Sequence, residues 1–271
     1  MLADVLLILG FAVISIGLRG SETPFLFRLG NLCVLVTSYL LGWKLTGIHF
    51  VGFSCASSWL LFPWIDIVTR VRHIQMPTDR HLRTQAPPGA SRFPALSELT
   101  EEIEAEGFQQ VEDAGWNHEE HRQYLRLFVH PTENVRATIN LVENEHISFF
   151  YVSLCTHSVD GTLWCTWNYP FSSSLKPAPN WRLQRYREAN AFFDIHAAHL
   201  AWIQSSRAAQ AKPISTDPAE LMAEIEGELL SQLTHNLNCG VLTKADEGQV
   251  RYSWRGCFFL WTQFLCDLIR A

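Results

Sequence analysis

The sequence lacks the short motifs that identify the most common nucleotide-binding, hydrolytic and metal sites. It contains no P-loop, no GxGxxG, no GxSxG, no HExxH and no CxxC pattern. These absences exclude the enzyme classes that a sequence reveals most easily, and no cofactor is indicated. Other kinds of enzyme stay open.

Positive charge is also scarce. The chain has 21 lysines and arginines against 27 aspartates and glutamates, which gives a formal net charge of −6. Nucleic acids are normally contacted by clustered positive charge. Residues 219–230, which are predicted to be helical, are acidic enough to repel DNA. The composition therefore argues against a nucleic-acid partner.

A long stretch at residues 29–65 is nearly free of charge. Its 37 residues contain Lys44 and His49 and no other lysine, arginine, histidine, aspartate or glutamate. One helix of this length would be about 55 Å long, whereas the apolar core of a bilayer is about 30 Å thick. We therefore predict two membrane spans that form a hairpin, with the turn in "GWKLTG" at residues 42–47.

Aromatic and basic residues at the ends of this hairpin predict its orientation. Trp43 and Trp64 lie 21 residues apart, a spacing that places one ring at each interface of the second span. Arg70 and Arg72 follow the hairpin on one side, while Lys44 is the lone basic residue of the other side. Because cytoplasmic loops are enriched in lysine and arginine, we predict a multi-pass protein of the cell membrane whose C-terminal part lies in the cytoplasm.

Small residues recur at helical spacing in both arms of the hairpin. Ser38 and Gly42 are four residues apart, and so are Gly52 and Ala56. This pattern allows two helices to approach closely in lipid. It also supports one alternative function, a membrane scaffold that associates with itself through these helices.

The N-terminal segment at residues 5–18 is apolar but short. A signal peptide would need a basic start and a small-residue cleavage site, and neither is visible here. We therefore predict a retained third span. The four predicted parts of the chain are a transmembrane anchor at 1–67, a proline-containing cytosolic linker at 68–95, an α+β domain at 96–207 and a C-terminal unit at 217–271.

Period-2 alternation predicts an antiparallel β-meander in the α+β domain. "VRATINLV" at residues 135–142 places apolar side chains on one face and Arg136, Thr138 and Asn140 on the other. Short connections between consecutive strands favour antiparallel pairing. Strands are predicted at 108–111, 124–130, 135–142, 146–154 and 162–168, with a helix before them and a long helix at 181–206 after them.

The C-terminal unit has the pattern of a helix, a β-hairpin and a helix. Leucine and isoleucine recur every four residues from Leu221 to Leu237, which is typical of an amphipathic helix that Gly240 would end. The predicted fold class is α+β: N-terminal transmembrane helices, namely a hairpin and a third span, then an antiparallel β-meander domain flanked by helices, then a helix–β-hairpin–helix tail.

Two histidine pairs are candidate metal ligands. His196 and His199 are three residues apart in a predicted helix and would share one face, and His118 and His121 could complete a set of four ligands. A structural role for all four is the alternative, because 11 histidines produce such pairs by chance.

Aromatic residues at the end of the meander are candidate binding residues. Trp164 and Trp167 should lie on opposite faces of the last strand, and Tyr169 follows it. Cys155 and Cys165 are predicted on paired strands, but a bond between them is not expected in the cytosol, where thiols stay reduced.

These observations favour a membrane-anchored protein whose cytosolic α+β module binds a protein partner or a small ligand without transforming it. The lipid bilayer is its expected environment, and a homo-oligomer could form through the membrane helices. The alternatives are a membrane-bound metal-dependent enzyme that uses the paired histidines, and the self-associating scaffold.

Overall fold

The computed structural model describes residues 2–20, 23–118, 121–144, 148–171, 173–186, 189, 191–206, 210–246 and 248–270. The chain has a mixed α+β fold. Its helices are α1 (Leu2–Arg19), α2 (Pro24–Thr46), α3 (His49–Thr69), α4 (Leu96–Ala105), α5 (Phe192–Ser205), α6 (Pro218–Asn238) and α7 (Trp254–Arg270), with a 3-10 turn at Val71–His73.

Helices α1, α2 and α3 pack in sequence, each against the next. Among the described residues, two helices, Phe25–Thr46 and His49–His73, are long and apolar enough to cross a membrane. Little of either helix is buried inside the protein, so most of their apolar side chains face outward. The turn between them is tighter than predicted: α2 continues to Thr46, and Gly47 ends it in the left-handed conformation (φ 72°).

Small residues form the contact between α2 and α3. A Cβ atom added to Gly52 would lie 2.7 Å from the carbonyl oxygen of Tyr39, and one added to Gly42 would lie 2.8 Å from Cys55 Sγ. The indole N–H of Trp59 on α3 also donates to the Ser38 hydroxyl on α2, at 2.8 Å. Ala56 is half-buried on α3. Gly42 and Gly52 thus serve packing within one chain.

The remaining chain forms two sheets in the part that the structure describes. The larger sheet has the order β2-β3-β4-β5-β6-β7-β8, and the smaller has the order β1-β10-β9. The strands are β1 (Met76–Pro77), β2 (Arg83–Thr84), β3 (Gln109–His118), β4 (His121–His130), β5 (Val135–Glu143), β6 (Ser148–His157), β7 (Leu163–Trp167), β8 (Trp181–Arg185), β9 (Leu242–Lys244) and β10 (Gln249–Tyr252). We call these sheets, with α4, α5 and α6, the module.

Strands β3 to β7 pair antiparallel with their neighbours in sequence, as alternation and short connections predict. The strand predicted at 108–111 extends much further, with a bulge between Gln110 and Glu112. The first two residues of the strand predicted at 146–154 lie outside the described residues. The predicted linker at 68–95 begins inside α3 and includes the 3-10 turn at Val71–His73. It is not free, because β1 and β2 pair with the small and large sheets.

The prediction of one long helix at 181–206 is wrong for the first part of this range. Residues Trp181–Arg185 form β8, which pairs parallel to β7, and the helix begins at Phe192. Trp181 and Leu183 alternate toward a cluster around Cys155, Leu163 and Cys165. Burial of these side chains against the sheet outweighs the helical preference of leucine, glutamine and arginine.

Cys155 and Cys165 form a disulfide, so the expectation of reduced thiols at these positions is wrong. They are register partners on β6 and β7, and their Cα atoms lie 4.4 Å apart. This is the separation of directly opposed residues in a non-hydrogen-bonded pair, and it falls at the short end of what a disulfide spans. Strand pairing therefore brings the two sulfur atoms together.

The large sheet is covered on both faces. Val135, Ala137, Ile139 and Leu141 of β5 join a core with residues from α4 and α5. On the other face, Leu125, Leu127 and Val129 of β4 pack against Leu221 and Ile225 of α6. The polar residues of β5 share this second face, so they are buried rather than exposed to solvent.

Helix α7 joins the module to α3. The Trp261 indole donates to the carbonyl oxygen of Leu60 at 2.8 Å, and its ring meets that of Trp64 at 5.9 Å. The Arg72 guanidinium lies 4.0 Å from the centre of the Trp254 ring. Trp64 and residues of the small sheet belong to one apolar cluster. The module is therefore packed directly on the end of α3.

The contact between α2 and α3 can be tested with the substitution Gly52→Leu. A side chain at this position would overlap the Tyr39 backbone, and overpacking of this kind costs about 1–3 kcal/mol. We expect a lower unfolding temperature for the full chain in detergent. Gly17→Leu is the matched control, because a Cβ atom there has no neighbour within 4 Å. Equal unfolding temperatures for the two variants would contradict the packing.

Candidate functional site

A network of charged side chains lies between the large sheet and α6. Arg136 on β5 donates to Glu228 on α6 at 2.6 Å, and His157 at the end of β6 contacts the same carboxylate at 2.7 Å. Glu224, one turn earlier on α6, lies 3.4 Å from His157 and 4.0 Å from Arg136. We call these four residues the Arg136 network.

The Arg136 network fixes the charge states of Arg136 and Glu228. Burial alone would raise the pKa of Glu228, but the charge of Arg136 and hydrogen bonds from His157 and Arg136 outweigh it and lower the pKa to about 2. Burial works in the opposite direction on Arg136, where the two glutamates outweigh it and raise the pKa. Glu228 and Arg136 are therefore both ionised at neutral pH.

The Arg136 network also contains a set of potential metal ligands. Ligand atoms of His157, Glu224 and Glu228 lie within 4.8 Å of one another. The Arg136 guanidinium, however, already supplies the positive charge that a metal ion would bring, and it binds Glu228 directly. A second cation at this position would meet electrostatic repulsion. We interpret the network as an internal ion-pair system that holds α6 on the sheet.

His196 lies in a different cluster, on the opposite face of the sheet. Its Nδ1 atom is 3.2 Å from Glu106 and its Nε2 atom is 2.8 Å from Glu133. The ring is buried and stacks near Phe192, with the centroids 6.0 Å apart. Both nitrogen atoms are thus occupied by carboxylates from two separate loops, which lock the start of α5 in place.

His199 is fully buried and neutral. Its Nε2 atom lies 3.0 Å from the Thr156 hydroxyl, and its Nδ1 atom lies 2.9 Å from the Thr166 hydroxyl. Burial, with a smaller contribution from His196, lowers the pKa of His199 to about 3. A neutral imidazole has one donor and one acceptor nitrogen, so the two threonines satisfy it and leave no nitrogen for a metal.

The two histidine pairs are not brought together. His118 and His121 are register partners where β3 meets β4, whereas His130 ends β4 and its ring lies 6.0 Å from that of His196. The nine-residue separation along β4 corresponds to about 30 Å. One metal ion therefore cannot contact both pairs.

The predicted aromatic residues divide between the two faces of the sheet, as alternation implies. Trp164 packs edge-on against Trp202 of α5, with centroids 4.9 Å apart. Trp167 stacks on Tyr169 at 5.2 Å and meets Tyr151 at 6.1 Å. Burial raises the pKa of both tyrosines, so these rings pack among themselves and stay uncharged.

Two adjoining cavities form an open groove beside β2, which sequence reasoning missed. Their volumes are about 240 and 260 Å³, and Asp79 and His81 line both of them. We call this the His81 groove. Its further lining residues include Arg83, Gln85, Trp116, Asn117 and His118 in one cavity and Arg80, Glu226 and Leu230 in the other.

The His81 groove combines an aromatic wall with charges of both signs. The His81 imidazole bridges Asp79, at 3.2 Å, and Glu226, at 3.3 Å. The Arg80 guanidinium lies 5.5 Å from the centre of the Trp116 ring. Ligand sites usually combine apolar or aromatic walls with a few polar groups that fix the orientation of the ligand. The basic segment "DRHLR" at residues 79–83 was the sequence signal for this groove. The same segment is also typical of a chain that lies along the inner surface of a membrane.

These features define a mixed α+β protein with a large, mainly antiparallel sheet and with two described helices that are long and apolar enough to cross a membrane. Comparison with family models, with curated proteins and with solved structures finds no match.

The structural role of the Arg136 network can be tested with Glu228→Gln. The lowered pKa of Glu228 means that its carboxylate stabilises the fold above about pH 4.5, and that this contribution is lost as the pH falls toward 2. We expect the variant to lose about 3 kcal/mol of unfolding free energy at pH 7, because Arg136 is left buried without its anion. Its acid dependence should be weaker below pH 4.5.

Urea unfolding of the full chain in detergent, followed by tryptophan fluorescence at pH 7 and pH 3, measures both effects. Glu224→Gln is the matched control, since Glu224 is more exposed and lies 4.0 Å from Arg136. We expect it to cost less than about 1 kcal/mol. Equal losses in the two variants, or stabilisation of the natural protein by added zinc, would contradict a purely structural network.

Proposed function

We propose that the chain is a membrane-anchored protein whose module binds a small polar ligand in the His81 groove without transforming it. The observation that carries this proposal is the groove itself, where charged, amide and aromatic side chains converge on open space. The buried histidines His196 and His199 and the Glu228 carboxylate have their partners inside the fold. They therefore favour a structural role over catalysis.

The exposed apolar surface of the anchor supports a membrane location. Leu45, Phe50 and Phe53 are each more than 60% exposed, and their burial in lipid would remove this surface from water. Helix α1 supports a third span. Asp4 at its start forms an ion pair with Lys44 near the end of α2, at 2.7 Å. Helix α1 is about 27 Å long, which is close to the thickness of a bilayer core.

The small-residue pattern gives less support to a self-associating scaffold. Gly42 and Gly52 are both buried in the contact between α2 and α3 of the same chain. A second chain could not use these positions for close approach unless the hairpin opened. We therefore do not favour the scaffold.

Two observations bear on which side of the membrane the module occupies. Arg70 and Arg72 follow α3, and Arg19 and Arg28 lie at the same end of the hairpin, whereas Lys44 at the other end is paired with an aspartate. This asymmetry favours the cytoplasm. The disulfide favours an oxidising compartment. We propose the cytoplasmic side, because the charge rule concerns the spans directly.

Membrane insertion and orientation can be measured on intact cells. We expect the full chain to resist extraction with carbonate, and a cysteine-reactive, membrane-impermeant label to miss a tag placed after the module. The control is a tag in the α2–α3 turn at Gly47, which should be labelled from outside. Labelling of the C-terminal tag instead would place the module outside the cytoplasm, and release by carbonate would contradict the anchor.

Ligand binding can be tested with pooled amino acids, sugars and nucleotides. A ligand at a hundred times its Kd adds about 2.7 kcal/mol, so we expect at least one pool to raise the unfolding temperature of the detergent-purified chain by about 5 °C or more. The shift should disappear in Trp116→Ala and Arg83→Gln.

Arg182→Gln is the matched control, because Arg182 lies on β8 at the opposite edge of the same sheet. It should keep the full temperature shift. The proposal fails if no pool stabilises the protein, or if Arg182→Gln abolishes the shift as completely as Arg83→Gln does. Turnover of the bound compound would show that the module is an enzyme instead.

A further inference from the structure

A further cavity lies among the apolar helices, at the end of the hairpin that is nearest the module. Its volume is about 450 Å³, and residues of α2, α3 and α7 line it. Leu32, Leu35, Leu60 and Phe264 give it a largely apolar wall. The volume is within the range of about 300–1,000 Å³ that is usual for small-molecule sites.

Two arginines stand at this cavity. Arg19 is the last residue of α1, and Arg28 lies in the second turn of α2. The Arg19 side chain is directed by its neighbours: its guanidinium lies 5.9 Å from the centre of the Phe27 ring, and a Cβ atom on Gly30 would be 2.7 Å from its Cγ atom. In the membrane location proposed above, both arginines would stand near the lipid headgroups, since they precede the uncharged part of α2.

An unsatisfied amide marks the boundary between the charged and apolar parts of the cavity. Asn31 lines it, and its Nδ2 atom is buried with no hydrogen-bond acceptor among the described residues. A buried donor without a partner costs about 1–3 kcal/mol. An oxygen atom supplied by a ligand at this depth would remove that cost.

We propose that this cavity binds one anionic phospholipid molecule. The phosphate would pair with Arg19 and Arg28, an ester oxygen would accept from Asn31 Nδ2, and an acyl chain would lie along Leu35 and Phe264. Arginine pairs with phosphate through several parallel hydrogen bonds, and basic pockets between membrane helices are known to bind anionic headgroups. The inference rests on the membrane location proposed above.

Native mass spectrometry of the detergent-purified full chain tests this site. The protein is incubated with phosphatidylglycerol and phosphatidylcholine that carry the same acyl chains. We expect one phosphatidylglycerol to be retained per chain, at least tenfold in preference to phosphatidylcholine. The double variant Arg19→Gln and Arg28→Gln should lose this preference.

The matched control is Arg70→Gln with Arg182→Gln, which removes the same charge at two exposed positions outside the cavity. It should retain the preference within a factor of two. Leu35→Trp fills the cavity without a change of charge and should reduce retention of both lipids. Circular dichroism at matched concentration checks that each variant keeps its helix content.

Three results would overturn the proposal. They are equal retention of both lipids, equal loss of preference in both double variants, or a dimer that retains no lipid. Carbonate extraction separates this failure from failure of the membrane location. A chain that stays in the membrane but retains no anionic lipid refutes the lipid site alone, whereas a chain that is extracted refutes the anchor as well.

Discussion

The buried charge of Arg136 is the constraint on which the module depends. Arg136 lies in β5, the central strand of the large sheet, and is only 4% exposed. A charge that cannot be hydrated there would be destabilising by several kcal/mol unless a partner neutralised it. Glu228 reaches it from α6. This ion pair holds α6 across the second face of the sheet. It fixes the rotation of α6 about its own axis and its position along β5.

The position of α6 then determines the arrangement of everything around it. Glu226, two residues before Glu228, accepts a hydrogen bond from the Leu82 N–H at 2.6 Å and so holds the chain next to β2. Farther along the helix, Leu233 packs with Val250 and Tyr252 of the small sheet, in the cluster that also contains Trp64 of α3. One helix thus links the charged interior of the sheet to the His81 groove and to α3.

The sequence predicted the elements whose burial is regular. Apolar runs without charge predicted α2 and α3, and strict alternation predicted β5. It did not predict β8, because "WRLQR" has residues typical of helices and becomes a strand through pairing with β7. The sequence also did not predict that the polar side of β5 is buried. Alternation identifies two faces but cannot tell whether a polar face meets water or a helix that carries matching charges.

The candidate site was less predictable than the fold, because its residues are distant from one another in the sequence. Residues 79–85 and 115–118 form the first cavity of the His81 groove, and Glu226 of α6 contributes to the second. Sequence spacing within one segment, which suggested the histidine pairs, has no bearing on such an arrangement.

The two buried histidines of α5 are fully hydrogen-bonded inside the fold. His196 and His199 have both ring nitrogens occupied by side chains of the fold, so a ligand could bind only by displacing a buried partner at a cost of about 1–3 kcal/mol. In the His81 groove, His81 is paired with Asp79 and Glu226, whereas Arg83 and Asn117 line open space. Asn31 on α2 has a buried donor without an acceptor among the described residues, as Arg136 and Trp164 also have. Ligands gain most where the fold leaves bonds to be made. This difference is why we propose the His81 groove and the apolar cavity as binding sites rather than the histidine clusters, although the histidines are the more conspicuous residues in the sequence.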